Sequence, residues 1–137
     1  MLFRSQYFPS LEALAQWCSV LMIAVRAGVE TQHAVDANIL KRLGADGYVV
    51  NISRGSVIDE KALVTALSDK TIAGAGLDVY EREPHTPDAL TVLPNVVLAP
   101  HIGGHTLESH VAMQNCVLAN LTGFFAGQGL PYAVKTA

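Results

Sequence analysis

Arg54, Glu83 and His101 are the residues of this 137-residue chain best suited to catalysis by type and surroundings. Arg54 ends an apolar run and precedes Gly55. A guanidinium grips a carboxylate through two parallel hydrogen bonds and keeps its charge at any working pH. By position alone, Arg54 is equally an ordinary surface arginine at a strand end. His101 stands between Pro100 and Ile102-Gly103-Gly104, a loop where backbone can approach a ligand closely. Imidazole is the natural proton donor and acceptor for an alcohol–ketone exchange, although a lone turn histidine more often only satisfies its own hydrogen bonds. Glu83 lies in the run from Asp78 to Pro84 (DVYEREP), and a carboxylate beside an imidazole stabilises its protonated form. Within that run Glu81 and Arg82 read as a solvated loop, whereas Asp78 ends a strand where a side chain can face a ligand.

Other candidates carry less. His101, His105 and His110 do not share one helical face across a Gly-Gly turn. No Cys or carboxylate joins them at ligand spacing, so no metal is expected. Gly74 and Gly76 lie inside a strand without the rest of a phosphate-binding fingerprint, and close packing accounts for them better. The net charge is −3 with nine scattered basic residues, which gives no basis for a nucleic-acid partner. Cys18 and Cys116 have neither CxxC nor disulfide-framework spacing. They read as small buried hydrophobes in a reducing compartment. The N-terminus lacks a signal-peptide pattern. The longest apolar run, Val20 to Val25, falls far short of the roughly 20 residues that span a bilayer. The expectation is a cytoplasmic protein with no membrane partner.

The elements that must position these residues follow from pattern. Half of the chain is hydrophobic and 15% charged, with mean hydropathy +0.31, a balance that suits strands buried on both faces. Ser10 caps a first helix, Asp36 a second that Gly44 ends, and Asp59 a third over Glu60 to Leu67. Val20 to Val25 and Gly47 to Ile52 read as buried strands. Further strands are expected around Ile72 to Val79 and over Asn95 to Ala99, separated by a Pro-rich loop from Glu83 to Pro94. A long helix runs from about Thr106 to Phe125, stopped by Gly127 and Gly129. Its apolar stripe of Val111, Val117, Leu118 and Leu121 reads as core more readily than as a dimer interface. Strands alternating with helices predict an α/β fold, an open parallel sheet with helices on both faces. Ligands bind such sheets beyond the carboxyl ends of the strands. The rule points to Arg26–Thr31, Ser53–Val57, Tyr80–Pro84 and His101–His105, the loops that hold most of the polar candidates.

Three segments together resemble one family. Val50 to Glu60 (VNISRGSVIDE), Gly74 to Pro84 (GAGLDVYEREP) and Leu93 to Gly104 (LPNVVLAPHIGG) are similar, in order and spacing, to the signature segments of the D-isomer-specific 2-hydroxyacid dehydrogenases. The glyoxylate/hydroxypyruvate reductase branch is the most similar. The resemblance covers nearly the whole chain and implies a Rossmann-like sheet truncated at its N-terminus. Residues 1–126 would be part of an NAD(P)-binding domain, and 127–137 a tail returning toward a substrate domain. It implies that Arg54 binds the substrate carboxylate and polarises its carbonyl. His101 would exchange the proton with the carbonyl oxygen, and Glu83 would orient His101. Asp78 would hold the nicotinamide carboxamide, with Val25, Ile52, Ser53, Arg54, His101, Gly103 and Gly104 completing the cofactor contacts.

The implied activity is NAD(P)H-dependent reduction of a small 2-oxo acid such as glyoxylate or hydroxypyruvate, in an enzyme that is a homodimer when intact. The Gly-rich pyrophosphate turn of the family is absent, so this chain is expected to be a fragment, weak or inactive alone. Arg4 and Ser5 would be remnants of a loop that reads a 2′-phosphate, tilting the cofactor toward NADP over NAD. A non-catalytic cofactor-sensing or protein-interaction module on the same fold is the alternative. Retention of Arg54, Glu83 and His101 together favours the enzyme.

Overall fold

The computed structural model describes residues 5–134; Arg4 lies outside them. Two compact units divide the chain, the first ending at His101 and the second beginning at Ile102.

In the first unit, helix α1 (Leu11–Trp17) opens where the Ser10 hydroxyl accepts the Ala13 N–H. Strand β1 (Val20–Ile23) follows, then α2 (Ala37–Leu43), whose first turn is capped by Asp36 and whose end falls at Gly44 with φ +81. β2 (Tyr48–Asn51) leads through a 3-10 turn at Gly55–Val57 to α3 (Glu60–Ser68), where the Asp59 carboxylate accepts from the N–H groups of Lys61 and Ala62. Caps of this kind contribute about 1 kcal/mol each. β3 (Gly74–Leu77), the short helix α4 (Asp88–Thr91) and β4 (Val96–Leu98) complete the unit.

The four strands are parallel in the order β1-β2-β3-β4. Leu21, Val49, Ala75 and Val96 stand in register, as do Ile23, Asn51, Leu77 and Leu98 one step along. These rows face the core, which α1, α2 and α3 close with Ala15, Leu40, Leu43, Leu63 and Leu67, and α4 with Leu90. Because this unit lays its helices on that one face, the alternate residues stay open: Val20 is 51%, Met22 57% and Val97 74% exposed, and Tyr48 is exposed beside them. The expectation that Val20–Val25 and Gly47–Ile52 are buried on both faces is therefore corrected to burial on one face within this unit.

Three further differences are local. The loop expected from Glu83 to Pro94 contains α4, whose four residues are too few to show a periodic pattern. The strand expected over Ile72 to Val79 narrows to Gly74–Leu77. Cys18 and Cys116 are free thiols but half-buried rather than buried. Gly74 packs as expected, since a Cβ there would meet the Asn95 carbonyl at 2.6 Å.

The second unit is built on α5 (Leu107–Phe125), opened by a reciprocal cap between Thr106 and Ser109. The chain then turns at Gly127 and Gly129, both at positive φ, and folds back on the helix. There Asn120 Oδ1 accepts the Tyr132 N–H at 2.9 Å. A Cβ on Gly123 would meet the Gly129 carbonyl at 2.3 Å, so the return depends on glycine. Val111, Val117, Leu118 and Leu121 are all exposed, against their reading as core. Among the described residues no helix is long and apolar enough to cross a membrane, and no group of His, Cys, Asp and Glu could hold a metal ion.

Candidate active site

Parallel strands deliver their carboxyl ends to one edge of the sheet, and the residues that follow β1, β2 and β3 meet there. After β2, buried Asn51 shapes the turn. Its amide donates to the Arg54 carbonyl at 2.9 Å, and its Oδ1 accepts from the Ser53 N–H at 3.0 Å and the Ser53 hydroxyl at 3.1 Å. Arg54 is thereby launched from a fixed turn. Its Nη1 donates to the Ser53 carbonyl at 2.6 Å, and among the described residues it forms no ion pair.

The loop after β3 is held from several sides. The Tyr80 hydroxyl donates to the Ala99 carbonyl at 2.9 Å, tying the loop to the end of β4. Gly55 lies directly against the Tyr80 carbonyl carbon, where a Cβ would come within 1.9 Å. Glu83 turns back so that its Oε1 accepts the Tyr80 N–H at 3.1 Å, while its Oε2 lies 2.7 Å from His101 Nδ1. His101 adopts a left-handed backbone, φ +55, an uncommon conformation for a residue with a side chain. Such strain is maintained only where the surroundings hold it.

The hydrogen bond from His101 holds the Glu83 carboxyl below the usual carboxylate range, aided by the Tyr80 N–H and the nearby Arg54 charge. A depressed carboxylate contributes stability that is present above its unfolded pKa and lost as pH falls through the folded one. On acidification, Glu83 should therefore titrate below the ordinary glutamate range, and return toward that range in His101→Asn. Carbon-13 NMR of the side-chain carboxyl reads this directly, and an ordinary titration in the unaltered chain would show that the contact is absent in solution.

Arg54, Gly55, Ser56, Tyr80, Glu81, Glu83 and His101 line one pocket of about 270 Å³. Arg54 also borders a second pocket, of about 460 Å³, with Val25, Arg26, Ile52 and Ser53. Val25 and Ile52 expose half of their surface there, as apolar groups that a flat ring can cover. Arg54, Glu83, His101, Val25, Ile52 and Ser53 thus fall into two pockets that share Arg54, whereas Asp78, Gly103 and Gly104 line neither. Asp78 is buried at the end of β3, its N–H donating to the Asn51 carbonyl at 3.0 Å. Gly103 and Gly104 belong to the second unit, in the turn ahead of α5. Ser5 is exposed and outside any element.

Two participants escape a reading by motif. Asn51 is one, an amide closing an otherwise apolar strand. The other is His33, whose Nε2 pairs with Glu81 Oε1. Glu81 is exposed in a turn, as its acidic neighbourhood suggests, but it also has a partner that sequence proximity does not show, a histidine 48 positions away.

Comparison with known proteins gives a consistent picture. The model of a family described as "D-isomer specific 2-hydroxyacid dehydrogenase, NAD binding domain" matches residues 3–103. The chain is 47% identical over 122 residues to 2-ketogluconate reductase of Gluconobacter oxydans, covering 89% of this chain and 39% of that protein. It is 42% identical over 125 residues to glyoxylate/hydroxypyruvate reductase A HPR2 of Arabidopsis thaliana, covering 91% and 40%. The crystal structure of the NADPH-dependent glyoxylate/hydroxypyruvate reductase of Sinorhizobium meliloti in complex with citrate superposes with a TM-score of 0.91 at 42% identity, over 96% of this chain and 42% of that one. A second structure of that reductase, in complex with NADP and malonate, gives 0.86 at 38% identity, over 97% and 44%. The chain spans about two fifths of the length of the relatives it matches. From its parallel sheet and the family match over most of its length, the chain belongs to the D-isomer-specific 2-hydroxyacid dehydrogenases, in their NAD-binding domain.

Proposed function

We propose that this chain carries the catalytic loops of an NAD(P)H-dependent reductase of small 2-oxo acids such as glyoxylate or hydroxypyruvate. The observation that carries the reading is one pocket that presents a guanidinium without a carboxylate partner and an imidazole already bound to a carboxylate. Arg54 holds the substrate carboxylate by two-point hydrogen bonding. His101, anchored through Nδ1 by Glu83, keeps Nε2 for the transferable proton and delivers it to the carbonyl oxygen as charge develops there. Glu83 stays ionised and so stabilises the imidazolium that must precede transfer.

The half-exposed apolar side chains of Val25 and Ile52, with Ser53 and Arg54 beside them, suit a flat amide-bearing ring, and Asp78, Gly103 and Gly104 are proposed as further cofactor contacts. A bound nicotinamide supplies the hydride. NADP is favoured over NAD, since a structurally similar reductase is in complex with NADP. The whole enzyme is read as a cytoplasmic homodimer with a small-molecule substrate. The exposed stripe on α5 supports the dimer and the two free thiols support a reducing setting.

The test is oxidation of NADPH and NADH by the purified chain, with and without hydroxypyruvate. It is paired with NMR of Ser53, Arg54 and His101 on titration with oxamate, an unreactive 2-oxo acid mimic. Oxidation that depends on the 2-oxo acid, with oxamate shifts at those residues, supports the reading. A chain that neither turns over nor responds to oxamate overturns it.

A further inference from the structure

We propose that His33 is a specificity residue: it holds the Glu81 carboxylate away from Arg54, so that the guanidinium stays free for the carboxylate of the substrate. The inference rests on the reading of Arg54 given above. Glu81 and Arg54 line the same pocket of about 270 Å³, so the site contains an internal carboxylate able to take the place of an anionic ligand. Yet among the described residues Arg54 has no ion pair, and the Glu81 carboxylate is bound by His33 Nε2 instead.

The chain fixes both members of this pair by backbone. The His33 N–H donates to the Ser56 carbonyl at 2.8 Å, and the segment continues beside residues 57–59 through Val35 N–H to Val57 O and Asp59 N–H to Val35 O, each at 3.0 Å. His33 is therefore tied to the turn that follows Arg54. On the other side, the Glu81 N–H donates to Glu60 Oε2 at 3.2 Å, which anchors the loop while leaving its carboxylate to be directed by its partner. His33 itself stands in the left-handed region, φ +50, as His101 does. The two carboxylates of this loop, Glu81 and Glu83, thus each have a histidine, and the two pairs differ in what they serve. Glu83 orients the proton donor. Glu81 has no role in proton transfer, and its charge opposes binding of an anion unless something engages it. Glu81 also borders a pocket with Glu60, Lys61, Arg82, His85 and Asp88, whereas in the pocket it shares with Glu83 and His101 the guanidinium is that of Arg54.

The experiment compares oxamate binding by NMR titration in the full chain, in His33→Asn and in His33→Asn/Glu81→Gln. Asparagine tolerates the left-handed backbone at position 33. The expected result is a Kd raised about tenfold in His33→Asn, the size of one lost charge-assisted interaction. In the double variant the Kd should return to within about twofold of the original, because the competing charge is gone. Unchanged affinity in His33→Asn would overturn the inference. So would weakened affinity without rescue by Glu81→Gln, or a His33→Asn chain that does not fold, since either would make the pair a structural clamp only. No response to oxamate in an unaltered chain that also shows no 2-oxo-acid-dependent cofactor oxidation would overturn the functional reading itself, and the two failures are thereby distinguished.

Discussion

Replacing His101 by asparagine should lower 2-oxo acid reduction by roughly 10²–10⁴-fold, the usual contribution of a positioned general acid. Asparagine keeps a polar side chain at a left-handed backbone position, φ +55, so the loop should survive. What it lacks is a proton to give. The loss should fall on kcat, with KM changing little, because Arg54 rather than His101 grips the carboxylate. Glu83→Gln should be milder. It removes the carboxylate that stabilises the imidazolium through the 2.7 Å contact while leaving the imidazole in place. Steady-state cofactor oxidation across pH, for the unaltered chain and both variants, checks the pair. Measurable 2-oxo-acid-dependent oxidation at equal rates in the unaltered chain and His101→Asn would remove His101 from the mechanism.

The parts of this structure that were legible in the sequence are those governed by local rules. Ser10, Asp36 and Asp59 are the residue types that accept a first-turn N–H, and each does so. Gly44, Gly127 and Gly129 sit where positive φ is needed. Loops that follow β-branched runs in an alternating α/β pattern converge at the strand ends, which is why Arg54, Glu83 and His101 were found as one set. The burial of the strands was less legible. Val20, Met22 and Tyr48 are apolar on the face that this unit's helices leave open, and composition cannot say which face is covered. Long-range pairing was not legible at all. His33 and Glu81 are brought together because residues 33–35 run beside residues 56–59, which in turn carry Glu60 to the Glu81 N–H. No spacing rule encodes that chain of contacts. Glu81 is exposed, as its charged neighbours in sequence suggest, but its histidine partner comes from a different crossover.

Gly55 shows the same limit at a single position, and its replacement by alanine is the structural change with the largest expected effect. In sequence it is only the residue that follows Arg54. In the fold it is buried, and its φ is not positive, so backbone freedom is not what it supplies. It supplies space. A Cβ there would lie 1.9 Å from the Tyr80 carbonyl carbon, 2.1 Å from its oxygen and 2.3 Å from the Glu81 nitrogen, all of them backbone atoms that cannot rotate aside. Either the Arg54 turn or the loop after β3 must move. The turn is pinned by Asn51 and the loop by the Tyr80 hydroxyl at Ala99, so the strain is shared by contacts that now hold both. Overpacking of this kind costs roughly 1–3 kcal/mol, and the top of that range is expected where backbone meets backbone. Gly55→Ala should therefore lower the urea midpoint without changing the slope of the transition. It should also displace Glu83 from His101, so that the Glu83 carboxyl loses its depressed pKa and titrates nearer the ordinary glutamate range. An alanine variant as stable as the original, with the Glu83 titration unmoved, would mean that the two loops do not touch in solution, and the geometry that joins Arg54 to His101 would fall with that contact.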